Sequence, residues 1–407
     1  MGEQRASVVD LFSGAGGMTY GFHAHTAFQL VGAADVEVGK PSTGHGAIGC
    51  NATYEHNIGV APLAVDLSDI PSDELASKIM PSGVNDLEIL LTCPPCTGFS
   101  RAVSSNYVND DPRNSLVARA ADFAAEVRPK VIMMENVPQL INGNFRHHFI
   151  ALRSNLENLG YRVHASSHLL TRFGLPQQRE RALVIAVAKD LPLHTLDDLW
   201  SGYAVRPEAI TVRRAIKDLP RMVSGETHPQ DPNHTSTHLT GDSLERIKAM
   251  PHNGGSWPDL LGNPSTERHL IPSMWKAVER RRLNAYCDVY GRMWWDRPAP
   301  TIKRECSHVG NGRYAHPEQD RQCTVRELAI LQGFPPDYRF VGSSRKNLYR
   351  QIGDAVPPLI SHQLAWVAHW ILTGVKPTLE QAILPGTHLR PNDLFRREPV
   401  GTQLALV

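Results

Sequence analysis

A mostly parallel α/β sheet with helices on both faces, joined to a smaller irregular domain, is the fold this sequence predicts. Three observations predict it. Short apolar runs alternate with helical stretches through the first half of the chain. A glycine-rich turn, Ser13-Gly14-Ala15-Gly16-Gly17, follows the first of those runs directly. The alternation stops after Lys189, where Pro, Gly, His and polar residues take over.

Ser7–Phe12 reads as a buried strand, and a helix is predicted from near Met18. Leu30–Ala34 is the next strand, ending at the acidic Asp35 and Glu37. Further strands are predicted at 61–65, 87–92, 131–134 and 182–188. Between two of them, Ser115–Ala124 has the pattern of a helix capped by Ser115 or Asn114. The composition shift after Lys189 starts a second, more irregular domain. Helices are expected at Thr324–Leu331 and Pro358–Thr373, and the tail beyond Val375 reads as a strap or a partly disordered end.

A chain of 407 residues with 41% hydrophobic and 20% charged side chains can bury a sizeable core. The net charge of +1 hides a local imbalance, because residues 271–350 hold 15 Lys/Arg against 8 Asp/Glu. Such a stretch could face phosphates or form a solvated surface. Six scattered cysteines in a long chain suit a reducing compartment. The sequence shows no signal peptide or membrane-spanning run, and Ala6 stands where a myristoylation motif wants Ser or Thr. The expectation is a cytoplasmic protein.

Three segments carry candidate chemistry. The run Leu87–Thr92 ends in Cys93-Pro94-Pro95-Cys96, Val131–Met134 ends in Glu135-Asn136-Val137-Pro138, and Gln177-Gln178-Arg179-Glu180-Arg181 follows. A thiolate, a carboxyl acid and a guanidinium are the equipment for attacking an electron-poor ring. Each has a plainer reading. Cys93 and Cys96 also match a C-x-x-C redox pair, Glu135 could cap a helix or pair with an arginine, and Arg179 and Arg181 could form surface ion pairs. No second C-x-x-C or suitably spaced histidine pair follows, so no metal is expected. Asp10–Gly17 reads as a strand, turn and helix that can approach an anionic ligand, with Asp35 placed for ribose hydroxyls. A glycine-rich structural turn is the alternative.

Together these segments resemble the DNA (cytosine-5) methyltransferases, in that family's order, over roughly residues 7–370. Asp10–Gly17 resembles the cofactor loop, Pro94-Pro95-Cys96-Thr97-Gly98-Phe99-Ser100 the nucleophile loop, and Glu135-Asn136-Val137 the acid segment. Gln177-x-Arg179-x-Arg181 matches a Q-x-R-x-R strand. Arg297–Thr301 and Thr324–Pro335 resemble the segment that organises target recognition, and Gln351–Pro358 the last motif. The resemblance implies an S-adenosylmethionine-dependent, Rossmann-like methyltransferase fold of the prokaryotic single-module type. It also implies the domain bounds: 1–189 would bind the cofactor and carry the chemistry, 190–345 would recognise the target, and 346–407 would return to the first domain.

It also implies transfer of methyl from S-adenosylmethionine to a cytosine flipped out of double-stranded DNA. Cys96 would add to C6, Glu135 would serve N3, and Arg181 with Arg179 would orient the base and the Glu135 carboxylate. Phe12, Asp35, Asp66 and Leu116 would contact adenosine, with Gly14, Gly16, Asp354 and Ala355 near the methionine end. A monomer is expected; whether a companion restriction endonuclease acts on the same site, without direct binding, is a property of the neighbouring genes. Four departures stand out: Thr92-Cys93 where glycines are common, Thr97 in place of Gln, an insertion around Lys40–Ile48 that brings in Glu37 as a rival ribose acid, and Asp354 in place of Asn. Asp354 and Thr97 motivate an alternative with RNA cytosine or a modified donor.

Overall fold

The computed structural model describes residues 5–37, 49–80, 87–96, 98–99 and 108–397. The Lys40–Ile48 insertion, Thr97, Ser100 and the last ten residues of the tail lie outside them. Six strands form the central sheet: β1 (Ala6–Leu11), β2 (Phe28–Ala34), β3 (Ile89–Thr92), β4 (Val131–Asn136), β5 (Tyr161–Leu169) and β6 (Glu180–Ala188). Their order is β2-β1-β3-β4-β6-β5. Pairing is parallel from β2 to β4, whereas β6 is antiparallel to both β4 and β5.

Apolar runs rather than alternating patterns build these strands because both faces of the sheet are covered. Val8, Leu91 and Met133 enter the core on one face; Val9, Leu90 and Met134 enter the core on the other. The chain leaves β1 for β2 on one side and returns to β3 on the other. That switch opens a crevice at the carboxyl ends of β1 and β3, where α/β sheets bind ligands.

Three local expectations need correction. Residues 61–65 are not a strand; Leu63 makes only an isolated parallel bridge to Ala34. The Ser115 helix is two elements. A 3-10 turn, Pro112–Ala118, starts with Asp111 accepting the Arg113 amide, and the α-helix proper is Arg119–Val127. Proline at the first position and an Asp cap set that start earlier than the apolar spacing suggested. β5, with its polar and half-buried pattern on the sheet edge, went unread.

The helix Pro358–Thr373 closes the sheet against the helix Gly17–His23. Their backbones meet at Gly21, where a Cβ would lie 2.1 Å from the His362 amide nitrogen. Ser361 Oγ accepts the Gly21 amide and donates to the Gly17 carbonyl, both at 3.0 Å. The tail is a strap as far as it is described. Leu389 is buried, and β10 (Leu394–Arg396) pairs antiparallel with β7 (Tyr203–Val205).

Beyond the sheet, β8 (Thr227–His228) and β9 (Asp231–Thr235) form a hairpin. The helix Val325–Leu331 begins with the capping box that Thr324 and Glu327 announce in sequence. The basic stretch is only partly a surface. Arg292, Arg313, Arg321, Arg326 and Arg350 are buried and bound to protein acceptors, which removes five of its fifteen cations from any phosphate-facing role. Arg280, Arg281 and Arg282 remain exposed. Among the described residues, no helix is long and apolar enough to cross a membrane.

Candidate active site

The end of β1 carries unusual backbone. Phe12 has φ of +60°, a conformation that costs a non-glycine residue about 1 kcal/mol or more and tends to occur at functional sites. Gly14 and Gly16 then supply φ of +51° and +83°. The turn lets the Gly14 amide donate to Asp35 Oδ2 at 2.9 Å. Asp35 Oδ1 also accepts the Glu37 amide at 2.7 Å, so this carboxylate is fixed at the crevice. Glu37 is engaged elsewhere, accepting the Asn51 amide in the first turn of the helix Cys50–Ile58 at 2.6 Å. That separates the two rival acids. Asp66 is exposed and accepts the Ser68 amide and hydroxyl, while Leu116 is half-buried in the 3-10 turn. The bridge from Leu63 to β2 ties the Asp66 segment beside Asp35.

Among the described residues, several buried polar atoms here lack protein partners. Asp10 Oδ1, Ser13 Oγ, Thr92 Oγ1 and Asn114 Oδ1 are all buried and unpaired. Burial raises the Asp10 carboxyl to about 8, against the hydrogen bond it accepts from Thr19 Oγ1. Burial also raises Asp35, opposed by the Glu37 and Gly14 amides. Four such oxygens gathered around one crevice fit a polar ligand such as S-adenosylmethionine.

The candidate catalytic groups meet one strand further along. β4 ends in Glu135, and β6, running the opposite way, begins near Arg181. Arg181 Nε lies 2.7 Å from Glu135 Oε1, both side chains being nearly buried. Asn136 Nδ2 donates to the Pro94 carbonyl at 3.1 Å and so holds the Cys93–Cys96 turn against β4. The Cys93 amide donates to Leu11, which links that turn to the cofactor crevice. Burial raises the Cys96 thiol, with Arg181 pulling it down and Glu135 and Asp354 pushing it up. At rest Cys96 is therefore a thiol. Cys93 and Cys96 pack toward the cores on opposite faces of the sheet, and burial pushes Cys93 well up, which disfavours a redox pair.

The two arginines do not share a task. Arg179 is fully buried and donates to the carbonyls of Ile302 and Ala355, both at 3.1 Å. Gln177 grips the same neighbours, accepting the Ile302 amide and donating to Gln332 Oε1, and Gln332 in turn donates to Ala355 O. Gln177 and Arg179 thus fasten β6 to the recognition-side segment and to the last motif. Of the two arginines, Arg181 is the one paired with Glu135 among the described residues. Asp354 forms an ion pair with Arg304 at 2.7 Å. Its extra negative charge is answered within the protein by an arginine 50 residues earlier in the chain. Desolvation raises the Asp354 carboxyl to about 6, although about a third of its side chain stays exposed.

Comparison with known proteins gives one answer. The family model of C-5 cytosine-specific DNA methylases matches residues 6–367. The type II methylase M.HgiDII of Herpetosiphon aurantiacus is 32% identical over 368 residues, covering 88% of this chain and 94% of that protein. The type II methyltransferase M1.HphI of Haemophilus parahaemolyticus is 30% identical over 366 residues, covering 88% and 85%. Among solved structures, a prophage-encoded proposed DNA modification methyltransferase (E. coli) superposes with a TM-score of 0.60 at 20% identity, covering 90% of this chain and 99% of that one. The S. pombe Dnmt2 methyltransferase superposes with a TM-score of 0.53 at 17% identity, covering 90% and 99%. These structures share the fold. The family and fold imply use of S-adenosylmethionine, and the comparisons do not favour RNA cytosine or a modified donor. The chain belongs to the C-5 cytosine-specific DNA methylases and is a DNA (cytosine-5)-methyltransferase.

Proposed function

We propose that this enzyme methylates cytosine within a specific duplex sequence through a covalent bond between Cys96 and C6 of a flipped-out base. The observation that carries this reading is the Arg181–Glu135 ion pair at 2.7 Å, next to the Cys96 turn. Cys96 gives its proton to water as its sulfur adds to C6, the Glu135 carboxyl gives a proton to N3, and the electron pair displaced from the C5–C6 bond makes C5 nucleophilic. Glu135 bonds to N3 and to the exocyclic amine, so that the ring can accept the added electrons. Arg181 holds the Glu135 carboxylate and presents donors to the O2 edge. Removal of the C5 proton then re-forms the double bond and expels Cys96 as a thiolate. When bound, S-adenosylmethionine supplies an electrophilic methyl group.

Phe12, Asp35, Asp66 and Leu116 would hold the adenosine part; Gly14, Gly16, Asp354 and Ala355 would lie by the amino-acid end. Ser13 and Thr92, both with orphaned hydroxyls, join that set. Arg179 acts as a positioning residue. Residues 1–189 form the catalytic domain, 190–345 the recognition domain, and 346–407 return to the first. DNA lies in the cleft between them, with Arg280–Arg282 among its phosphate contacts. The enzyme acts as a monomer on DNA in the cytoplasm. The names of its type II relatives support a companion endonuclease for the same site.

Nucleoside mass spectrometry of plasmid DNA from cells expressing wild type or Cys96→Ala tests the reading. 5-Methylcytosine with the wild type alone is expected. Equal 5-methylcytosine from a soluble Cys96→Ala variant would refute the covalent mechanism.

A further inference from the structure

Asp110, His147 and His148 form a cluster that the methyl-transfer reading leaves unused. Both imidazoles point Nε2 at the same oxygen, Asp110 Oδ2, at 3.2 Å from His147 and 2.9 Å from His148. All three donor atoms lie within 4.8 Å of one another. The convergence is unusual because neighbouring residues on a helix point in different directions, and His147 and His148 open the helix His147–Asn158. Here their rings lie 4.1 Å apart, tilted by 35°. The sequence predicts no metal because two adjacent histidines lack ligand spacing along the chain. Folding supplies the third donor from a segment 37 residues away.

We infer that Asp110, His147 and His148 bind a late first-row divalent cation, with Zn2+ as the representative ion. Two imidazoles and one carboxylate are a donor set such ions favour. Zn2+ holds these ligands at about 2.0–2.2 Å, which places tetrahedral donors about 3.3 Å apart, close to the separations at Asp110 Oδ2. An outer shell is already in place: buried Asn114 donates to Asp110 Oδ1 at 2.7 Å and orients the carboxylate. Three protein ligands at the surface leave at least one position open to solvent.

The location gives the ion a consequence. Asp110 directly precedes Asp111, the cap of the turn that bears Leu116, and His148 meets the Phe99 ring edge-on at 5.9 Å. A bound ion therefore joins the helix that follows Glu135 to the segment between the nucleophile turn and the cofactor crevice.

Titration calorimetry of Zn2+ into the metal-free, full-length protein at about pH 7.5, where histidine is neutral, tests the site. One equivalent should bind to the wild type and equally to Cys96→Ala. His147→Ala and Asp110→Asn should each weaken binding by about tenfold or more, the range seen even for outer-shell partners. Circular dichroism and methyl transfer in EDTA should leave His147→Ala unchanged. No binding to the wild type, or equal binding to all four proteins, would overturn the site. The Co2+ spectrum of the wild type is an independent check. Nitrogen and oxygen ligation gives no sulfur-to-cobalt charge-transfer band, and such a band would assign the ion to cysteine instead.

Discussion

The cofactor crevice and the recognition region differ in what serves their buried polar groups. Around the crevice, Asp10, Ser13, Thr92 and Asn114 each keep a buried oxygen unpaired. In the recognition region, loops that lack helix or sheet partners hand their carbonyls to buried arginines. Arg292 donates to Met250, His316, Gln319 and Ile247, and Arg313 to Gly254, Arg292 and Cys287. Every buried carbonyl needs a donor, and where secondary structure is scarce a guanidinium with five N–H groups can serve several at once. One region is left incomplete for a ligand. In the other, buried arginines serve as internal donors to the loops.

The contrast can be broken at its extremes. Cys96→Ala should reduce methyl transfer below detection while leaving urea unfolding unchanged, because the half-buried thiol makes little of the core. Arg181→Ala should lower kcat/KM by about a hundredfold or more, as expected when an oriented charged donor is lost, with partial recovery in Arg181→Lys. Unchanged kinetics in Arg181→Ala would remove the ion pair from the mechanism. On the recognition side the effect should appear as stability. Arg321 donates to Glu327 through two bonds of 2.8 and 2.7 Å, both residues being buried. Burial would raise Glu327, but Arg321 holds it down at about 2. Glu327→Gln should therefore cost about 3–5 kcal/mol in urea unfolding, by stranding a buried guanidinium.

The pH dependence should differ in sign between Asp10 of the crevice and two buried histidines, His316 of the recognition region and His388 of the C-terminal strap. Burial lowers His316 and His388 to about 4, so both are neutral in the fold and take up protons on unfolding below their ordinary value of 6.5. Their contribution is full above 6.5 and falls as pH drops toward 4, on the order of a few kcal/mol. Asp10, raised to about 8, holds a proton in the fold that the unfolded chain releases above 3.8, so its contribution falls as pH rises over that interval. Asp10→Asn should gain stability relative to wild type steadily from about pH 4 to about pH 8 in thermal melts. A constant difference would show that Asp10 is not protonated in the fold. The smallest effect is expected at Asp354→Asn. It breaks a partly exposed pair with Arg304 and should change stability by less than about 1 kcal/mol. A tenfold change in KM for S-adenosylmethionine would instead give Asp354 a direct part in binding.

The sheet strands, the glycine turn, Cys96, Glu135 and Arg181 were legible because each is a local pattern: an apolar run ended by a reactive or conformationally special residue. The helix expected at Thr324–Leu331 was legible from its local pattern as well. β5 was not, since an edge strand with half-buried side chains lacks an apolar run. Nor were the partners of Arg179, Asp354 and the buried arginines of 292–350, because a guanidinium looks the same in sequence whether it meets phosphate, carboxylate or a carbonyl 100 residues away.

By itself the sequence determined which side chains could do chemistry and that each stands at a strand end. Only the tertiary structure decided that they meet. Glu135 ends β4 while Arg181 lies at the start of β6, and these ends share one edge of the sheet because β6 runs antiparallel to β4. A parallel β6 would carry the same residues to the far edge. Strand direction is set by long-range pairing and by how the connecting turn packs, and neither leaves a mark in the local order of residues.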